Sequence, residues 1–539
     1  MLHTKDYKHF RVVYQNGTEI SFEGASYAHR ALPGDTLEIY GDVKKVVKRA
    51  KHGPLIGVLE LASKMRFGMT ARNNPIYRFT PFNESYPPFF VGCSQKDVST
   101  NVLARVEFIN WDAGTCPRGN LLEILGACGD LEAEERALLL EASPTKWPKI
   151  ELSQPYVSPN LVKIVAETFH IDPPGCRDVD DAISLVAVKG GTEVKIHIAN
   201  VGAWLLTNPE LKRAATFGQS YYRDGVAVKP MFPPHLSEDL FSLVPGQERQ
   251  TVTFTFFWDG RAYLDESYWS IELITISETY TYDTFYKSKH AALLGEICSS
   301  LAGKPLTDSH EWVEQLMLTY NTEAASLLKS LGTGILRRHA GKDQERYSRL
   351  EALGLPAHKL AMRAGEYCPA FDQNTEHCGL ARSAYCHASS PIRRWADCIN
   401  QLALLDIIDR GECTPQAEVP AQVASLNALA KLSKRFERDV LFMRALLTQK
   451  GGIDAIIVEI GLKTRLWVPD WNRMISSTYK GEGQPGDKVT MTFFADATQR
   501  SWKHRLVIRW TSPHPAPLDQ SAEEDSAPLS PQSTQDTLQ

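Results

Sequence analysis

The sequence predicts a multidomain protein of the α+β class, in which a central mixed α/β domain is flanked by small β-barrels. Three observations predict this class. The chain has 539 residues, 43% of them hydrophobic, which is enough for several separate cores. Short runs of alternating apolar and polar residues, typical of strands, recur near both ends of the chain. Helical periodicity is concentrated between residues 285 and 450.

The sequence also argues against several classes of protein. No stretch approaches the roughly 18 consecutive apolar residues of a membrane-spanning helix. The start, MLHTKDYKHF, lacks the apolar core of a secretory signal. The 10 cysteines form no CxxC pair and have no zinc-finger spacing. We therefore expect an intracellular protein without membrane association, with reduced thiols and no structural zinc.

The C-terminal segment 512–539 is rich in Pro and Ser and is predicted to be a disordered acidic tail. Its five acidic residues, unaccompanied by Lys or Arg, are Asp519, Glu523, Glu524, Asp525 and Asp536. The whole chain has a formal net charge of −5, so residues 1–511 are neutral in sum and any basic surface must be local. The tail either solvates the protein or binds a partner.

Two small β domains are predicted first, at residues 1–50 and 51–150. In the first, the Asn16–Gly17 dipeptide between alternating runs indicates a hairpin. In the second, the runs GPLIGVLEL, PIYRFTPF, PPFFVGC and VLARVEFINW indicate the strands of a small barrel such as an OB-fold. A basic cluster lies between them and consists of Lys44, Lys45, Lys48, Arg49, Lys51 and His52. It is either a solvated face or a surface that follows the phosphates of a nucleic acid.

Residues 151–448 form the predicted mixed α/β domain, with strand patterns to about residue 280 and helical patterns beyond it. From Gly451 the runs GIDAIIVEIG, TRLWVPDW, DKVTMTFFAD and HRLVIRW return to strand character. Residues 449–511 are therefore predicted to form a further small barrel.

The strongest functional signal is a group of four aspartates in TFHIDPPGCRDVDDAISL: Asp172, Asp178, Asp180 and Asp181. Pro173–Pro174–Gly175 predicts a turn, so the carboxylates should lie together on a loop between two strands. Close carboxylates repel one another unless a cation compensates. Oxygen ligands favour Mg²⁺, with Mn²⁺ as a substitute. Because such sites are typical of phosphoryl transfer, the residues predict a metal-dependent phosphodiesterase or phosphotransferase.

A second signal is the segment SPIRRWADCINQLALLDIIDRG, which predicts a helix with Ser390 as N-cap and Pro391 as its first residue. Arg393 and Arg394 then lie in the first turn, where basic residues oppose the helix dipole. A bound phosphate would reconcile them with the helix, and two solvated arginines are the alternative. Tyr222, in QSYYRDG, either stacks on a base or packs within the protein.

These motifs resemble the ribonuclease II (RNB) family of 3'-to-5' exoribonucleases. The resemblance begins at HIDPPGCRDVDDAISL and continues through KIHIANV, SYY…KPMFPPHLSEDLFSLVPG, MLTYNTEAA…GILRRH and HCGLARSAYCHASSPIRRWAD to KRFERDV. It therefore spans residues 168–440 in family order. It is most similar to the eukaryotic exosome-associated branch, although we expect no room for the N-terminal endonuclease domain of that branch.

The resemblance implies a fold and an activity. It implies two cold-shock-type OB-folds (1–50, which is short, and 51–150), an RNB catalytic domain (151–448) and a C-terminal RNA-binding OB-fold (449–511). The implied activity is processive release of nucleoside 5'-monophosphates from single-stranded RNA by two-metal catalysis.

The resemblance also assigns roles to individual residues. Asp172, Asp178, Asp180 and Asp181 match the Mg²⁺ ligands, and Asp180 matches the one most critical for cleavage. Arg393 matches the arginine on the scissile phosphate. Tyr222 matches the aromatic residue that stacks on the 3'-terminal base, and Glu437 matches an acidic residue near the RNA 3' end. The basic cluster, in particular Lys44, Lys45, Lys48 and Arg49, is expected to bind RNA.

The sequence departs from the family pattern at several places. Arg223–Asp224 replaces the usual apolar-Pro pair, with one extra residue before Pro230. Ala388, Gln401–Leu402 and Asn200 also replace other usual residues. The four aspartates are unaffected, so we expect an active enzyme.

Two alternatives are an RNA-binding pseudoenzyme and a metal-dependent DNA exonuclease. We expect a monomer, and association with a large complex follows by family analogy alone.

Overall fold

A computed structural model describes residues 1–14, 16–40, 43–143, 146–223, 225–361, 363–412, 418–448, 451–479, 481–495 and 506–511. The predicted acidic tail lies outside these residues. The chain divides into two compact units, a large one that reaches residue 449 and a small one that follows it. Within the described ranges, no helix is both long enough and apolar enough to cross a lipid bilayer.

The first 50 residues form two separate sheets. The strands are β1 (Leu2–Thr4), β2 (His9–Val13), β3 (Glu19–Glu23), β4 (Thr36–Tyr40) and β5 (Val43–Lys48). Strands β1–β3 form one antiparallel sheet and β4–β5 a hairpin, so the described strands do not close into the single barrel that the sequence predicts. The predicted turn at Asn16–Gly17 does join β2 to β3, with Gly17 at a φ of 82°. The small core is completed by Phe108 and Trp111 of the next domain, because about 50 residues bury too little surface alone.

The second domain is a closed five-stranded barrel followed by a helix, as predicted. Its strands are β6 (Leu55–Leu59), β7 (Ile76–Pro81), β8 (Phe89–Gly92), β9 (Val102–Asn110) and β10 (Arg118–Ala127), and the helix is α1 (Leu131–Ala142). The barrel order is β10-β8-β7-β6-β9. Asp130 caps α1 by accepting a hydrogen bond from the Ala133 N–H.

The central domain is built on a seven-stranded sheet with the order β11-β18-β17-β14-β13-β12-β19. These strands are β11 (Val162–Lys163), β12 (Thr168–Asp172), β13 (Asp181–Val188), β14 (Gly191–Ala199), β17 (Glu248–Trp258), β18 (Ala262–Thr275) and β19 (Glu278–Thr281). A short hairpin, β15 (Tyr221–Arg223) and β16 (Val226–Lys229), lies outside the sheet, as does the pair β20 (Ile335–Arg338) and β21 (Glu366–Pro369). Most pairs are antiparallel, but β12 pairs with β19 in parallel.

Helices cover the sheet. They are α2 (Val201–Thr207), α3 (Tyr282–Phe285), α4 (Ala291–Ala302), α5 (Ser309–Ser330), α6 (Gln344–Ala352), α7 (Ala357–Leu360), α8 (Trp395–Arg410) and α9 (Val419–Thr448). Helix α8 contributes side chains to two cores, Trp395 and Ile399 to one and Leu404 to the other. Because it is buried on both sides, its N-terminal end is fixed firmly in the domain.

The small C-terminal unit contains a five-stranded antiparallel sheet. Its strands are β22 (Ile453–Glu459), β23 (Thr464–Val468), β24 (Arg473–Ser477), β25 (Lys488–Ala495) and β26 (Leu506–Thr511), in the order β24-β23-β22-β25-β26. The Ser477 hydroxyl donates a hydrogen bond to the Ile508 carbonyl (3.0 Å), which joins the two edge strands.

Candidate active site

The four aspartates lie at and between the ends of two neighbouring strands, as predicted. Asp172 is the last residue of β12, and Asp181 is the first residue of β13. The chain turns between them at Gly175, which has a φ of 79°, and the Cys176 N–H donates to the Pro173 carbonyl (3.1 Å). The carboxylates are thus brought together by strand pairing and a tight turn.

Three hydrogen bonds fix the rest of this loop. The Val179 N–H donates to the Ser242 hydroxyl (3.0 Å), and that hydroxyl donates to the Arg177 carbonyl (2.7 Å). The Ala199 N–H donates to the Asp180 carbonyl (2.8 Å), which ties the loop to the end of β14. The backbone between Arg177 and Asp180 is therefore held on both sides, which sets the positions of the intervening carboxylates.

Asp180 is the most buried of the four, with 4% of its surface exposed. Its Oδ1 accepts a hydrogen bond from the Ile392 N–H (2.9 Å), and its Oδ2 lies 3.4 Å from the Arg393 Nε. Burial raises the pKa of Asp180 well above its usual value, and Arg393 and the Ile392 N–H oppose this effect. This residue links the aspartate loop to the segment that precedes α8.

The neighbouring carboxylates act on one another. Burial and the charge of Asp172 together raise the pKa of Asp181 to about 7, although the charge of Arg393 opposes them. Burial also raises the pKa of Asp178, with a smaller contribution from Asp172. The Asp172 Oδ2 lies 2.7 Å from the His170 Nδ1. Together, the carboxylates form a buried region of excess negative charge with Arg393 at its edge.

Arg393 is held by hydrogen bonds of its backbone, and its side chain is partly exposed. The Ser220 N–H donates to the Arg393 carbonyl (2.9 Å), and the Trp395 N–H donates to the Gly218 carbonyl (2.9 Å). The Arg393 Nη2 donates to the Ser390 hydroxyl (3.0 Å), while 45% of the side chain is exposed. A fixed backbone and an exposed guanidinium are suited to binding an anion from solvent.

The predicted start of α8 is wrong by several residues. The helix begins at Trp395 with Arg394 at the N-cap, whereas Ser390 starts a turn in which its carbonyl accepts the Arg394 N–H (3.1 Å). The buried carboxylate of Asp397 accepts from the Ser390 N–H (2.8 Å) and from the Arg394 Nη2 (2.9 Å). These two contacts hold the segment from Ser390 to Arg394 in a tight turn, so α8 does not extend over it. Arg393 therefore precedes the helix and projects from a turn.

Tyr222 lies in the same region as Arg393. It is half-buried on β15, and burial raises its pKa to about 12 while the Arg393 charge lowers it. A β-bulge separates it from Tyr221, whose buried ring contacts the Phe436 ring (5.7 Å between centroids). The two tyrosines therefore have different surroundings, Tyr221 beside Phe436 and Tyr222 beside Arg393. Asp224 lies outside the described residues.

A second tyrosine of the site, Tyr282, is not predicted from the sequence. It follows β19, and the parallel pairing of Thr281 with Asp172 brings it beside the carboxylates. Burial and, to a smaller extent, the charges of Asp181 and Asp172 raise its pKa to about 12. Its ring stacks on that of His310 at 3.7 Å between centroids. Because the parallel pairing joins segments about 110 residues apart, no local pattern signals it.

Glu437 and the basic cluster lie elsewhere. Glu437 is half-buried on α9, next to Phe436, and no described contact joins it to the aspartates. Lys44 is buried, with its Nζ 4.3 Å from the Phe22 ring centroid. Arg49 is bound to Asp35 (2.5 Å).

The basic cluster borders a cavity of about 1020 Å³ between the first sheets and the barrel. Its lining includes Lys44, Lys45 and Arg49 but not Lys48, together with Lys8, Arg30, Tyr86 and Trp111. Lys45 and Lys48 are exposed. Cations and aromatic rings therefore line one concave surface in this part of the chain.

Two departures from the family pattern have structural roles here. Asn200 caps α2 by accepting from the Ala203 N–H (2.9 Å). The Gln401 side chain accepts from the Gly202 N–H (2.7 Å) and donates to the Ala199 carbonyl (2.9 Å). The Gln401 amide therefore joins α8 to the start of α2.

The donor set agrees in chemistry with a divalent metal ion. The four carboxylates supply oxygen ligands, which Mg²⁺ and Mn²⁺ prefer. Their burial beside one another is unfavourable without a compensating cation. Across the described ranges, however, no three His, Cys, Asp or Glu side chains converge closely enough to hold an ion as they stand.

Two family models match the chain. The RNB domain matches residues 164–292 and 357–410, and the Dis3-like cold-shock domain 2 (CSD2) matches residues 76–143. The chain therefore contains segments that are similar to the RNB domain. The RNB match includes all four aspartates, Tyr222, Tyr282 and Arg393, so the segments that form the site lie within the matched residues.

Known proteins resemble the chain over most of its length. The mouse exosome complex exonuclease RRP44 is 23% identical over 465 residues, covering 67% of this chain and 48% of the mouse protein. The chain thus spans about half the length of that relative. Mycoplasma genitalium RNase R, solved in complex with ribose-methylated single-stranded RNA, has a TM-score of 0.69 at 15% identity and covers 93% of this chain and 98% of its own. Yeast Ssd1, described as a pseudonuclease, has a TM-score of 0.63 at 15% identity and covers 93% and 80%. Since the RNB fold includes a pseudonuclease, activity has to be argued from the site.

Proposed function

We propose that this RNB protein is a metal-dependent 3'-to-5' exoribonuclease that processively hydrolyses single-stranded RNA to nucleoside 5'-monophosphates. The observation that carries the proposal is the position of Asp180, a buried carboxylate between the Ile392 N–H and the Arg393 guanidinium, within a group of four aspartates. Exonuclease names among the relatives support the reaction class.

The proposed metal ligands are Asp172, Asp178, Asp180 and Asp181, and the metal is Mg²⁺ or Mn²⁺. When bound, two such ions supply an activated water and stabilise the leaving oxygen of an in-line displacement. The protein positions the carboxylates. The Ile392 N–H holds one Asp180 oxygen in place, and the turn at Gly175 fixes the spacing between the strand ends.

Arg393 is proposed to bind the scissile phosphate. Its guanidinium is exposed over nearly half of its surface, and its contact with Asp180 is a long one at 3.4 Å. The planar guanidinium can therefore give up part of its contact with Asp180 and bind two phosphate oxygens instead. Its charge then stabilises the negative charge that develops on the phosphate during hydrolysis.

The two tyrosines are proposed to shape the pocket for the 3'-terminal nucleotide. Tyr222 borders Arg393 and offers a ring for base stacking, while Tyr282 borders Asp181 and Asp172. Both phenols are protonated at neutral pH, as tyrosines ordinarily are, so each can donate a hydrogen bond, and burial raises their pKa values further, to about 12. Glu437 is proposed to lie near the RNA 3' end on the basis of the family alone.

The RNA strand upstream of the site is proposed to contact the basic cavity of the N-terminal domains. Lys44, Lys45 and Arg49 line this cavity beside aromatic rings, which is the combination that single-stranded nucleic acid binds. Lys48 is exposed outside the lining and is the weakest member of the proposed set. Association with a large complex is a proposal that follows from the name of the mouse relative.

The second candidate function is RNA binding without cleavage. It is favoured by the absence of three convergent metal-binding side chains among the described residues and by the fold shared with a pseudonuclease. Matched RNA and DNA oligonucleotides, incubated with Mg²⁺ or with EDTA and analysed for products, separate the candidates. The exonuclease consumes only RNA, releases 5'-monophosphates and stops in EDTA. RNA binding without nucleotide release identifies the pseudoenzyme, and equal digestion of DNA contradicts RNA specificity.

A further inference from the structure

Arg337 and Arg338 are adjacent on β20 but have different partners. Because side chains alternate along a strand, the two arginines point to opposite faces. Arg338 forms ion pairs with Glu366 (2.8 Å) and Asp372 (3.3 Å). Arg337 is half-buried, and no carboxylate in the described part of the chain pairs with it. Its guanidinium lies 5.2 Å from the centroid of the Tyr367 ring.

The surroundings of Arg337 are polar and aromatic. The Tyr367 hydroxyl lies 2.9 Å from the His387 Nδ1, and the Tyr385 and His387 rings are 5.8 Å apart. The Arg337 N–H donates to the Tyr385 carbonyl (2.8 Å), so the segment around Tyr385 runs beside β20. Tyr385 is fixed in turn by Asn321, whose Nδ2 lies 3.3 Å from its hydroxyl.

Three arginines lie near His387 in this part of the domain. Arg393 has Asp180 as its partner, and Arg394 has Asp397. Arg337 adds a third guanidinium without a matching carboxylate among the described residues. All three arginines act on His387, whose pKa is lowered well below its usual value by burial and then by these charges. A half-buried guanidinium without a carboxylate partner can bind an anion that reaches it from solvent.

We propose that Arg337 binds an RNA phosphate upstream of the scissile bond. This inference rests on the proposed function, in which Arg393 binds the scissile phosphate. A strand held at Arg393 has one negative charge on each nucleotide, and Arg337 is the unmatched cation of the same region. Its planar fork can bind two phosphate oxygens, and its contact with Tyr367 holds it in place before RNA arrives.

A purely structural role for Arg337 makes a different prediction. If the side chain only packs on Tyr367, its removal lowers the stability of the protein. RNA binding by the variant would then still weaken when the same single phosphate is neutralised. The two roles are therefore separated by RNA in which single phosphates are neutral. Arg338 is the matched control, because it is the neighbouring arginine with carboxylate partners of its own.

The experiment measures RNA binding by fluorescence anisotropy in EDTA, where cleavage does not interfere. The ligands are a single-stranded RNA and a series in which one linkage at a time is an uncharged methylphosphonate. For the wild type, we expect one upstream linkage at which neutralisation weakens binding about tenfold. Arg337→Ala should bind unmodified RNA about tenfold more weakly and lose sensitivity at that linkage. Arg338→Ala should retain both the affinity and the sensitivity.

Two further variants control for folding and charge. Arg337→Gln keeps most of the side-chain volume if Arg337→Ala fails to fold, and it should show the same loss of sensitivity. Arg337→Lys keeps the charge without the fork and should recover part of the affinity. If an Arg337 variant stays folded and its RNA affinity still falls when that linkage is neutralised, the role of Arg337 is overturned but the proposed function is not. If the wild-type protein binds no RNA, both the proposed function and the role of Arg337 are overturned.

Discussion

Arg393 and Arg394 are adjacent in sequence, yet their side chains lie in different surroundings. Arg393 is 45% exposed and makes a long contact with Asp180. Arg394 is 22% exposed, and its partner Asp397 is fully buried and also accepts the Ser390 N–H. Arg393 is therefore accessible to a substrate, whereas Arg394 stabilises the turn from which Arg393 projects.

Arg393→Ala should slow nucleotide release about a hundredfold, which corresponds to about 3 kcal/mol of lost transition-state stabilisation. RNA affinity and melting temperature should change little, because the partly exposed side chain contributes a long ion pair with Asp180 and a hydrogen bond to Ser390. Single-turnover cleavage and thermal unfolding measure the two effects. A variant that cleaves at nearly the wild-type rate would show that Arg393 is only a surface residue.

Arg394→Ala is the matched control at the neighbouring position. It leaves the buried Asp397 carboxylate without its cation, so it should lower the free energy of unfolding by about 3 kcal/mol. Urea unfolding measures this loss. An unchanged unfolding midpoint would mean that Asp397 is stabilised by its backbone contacts alone.

At the scale of elements, the central sheet contains a row of buried polar side chains that crosses several strands. The Ser184 hydroxyl and the Thr253 hydroxyl each lie 2.9 Å from a ring nitrogen of His197. Lys195, on the same strand as His197, forms a buried ion pair (2.9 Å) with Glu272 of β18. The row therefore crosses the sheet from β13, which starts at Asp181, to β18.

His197 should make the protein sensitive to acid. Burial and the charge of Lys195 lower its pKa to about 3 in the folded state, whereas an unfolded histidine has its ordinary pKa of 6.5. Between these values the unfolded chain binds a proton that the folded chain does not, so stability falls as the pH decreases. From pH 7 to pH 5, this histidine should cost about 2 kcal/mol. Urea unfolding of His197→Gln should show less loss over that range, and equal losses in both proteins would contradict the assignment.

Local sequence patterns predict elements better than they predict contacts between them. The strands β6–β9 and the hairpin β13–β14 follow from alternation and turn residues, which are properties of neighbouring positions. The start of α8 is predicted wrongly because the deciding contact, from Asp397 to the Ser390 N–H, is made by folding. Tyr282 is missed because it reaches the site through the parallel pairing of β12 with β19. The aspartates could be predicted since they lie within one short segment.

For the whole molecule, a neutral folded body is compatible with RNA binding because its charge is unevenly distributed. The formal charge of −5 equals that of residues 512–539, while cations line the N-terminal cavity. Phosphate contacts release counterions, so RNA affinity depends on the local cations and on salt.

RNA affinity should fall steeply between low and moderate salt. Lys45→Gln should reduce the slope of log K against log salt by roughly 0.7, the value for one contact with a single strand. Lys48→Gln is the matched comparison, because Lys48 is exposed but does not line the cavity, and it should reduce the slope less than Lys45→Gln does. Anisotropy titrations at several salt concentrations measure the slopes. Equal slopes for the wild type and Lys45→Gln would show that Lys45 in the cavity does not contact the RNA.

The central claim, that the four aspartates form the hydrolytic centre, is tested most directly by Asp180→Asn. The change is nearly isosteric and keeps an oxygen for the Ile392 N–H, so the fold should remain. It removes one charge and one strong oxygen ligand from the proposed Mg²⁺ site. Nucleotide release with Mg²⁺ and RNA binding by anisotropy are measured on one preparation. We expect release to collapse while RNA affinity stays within a few-fold of the wild type. Substantial release by the variant, or loss of binding together with activity, would contradict the account.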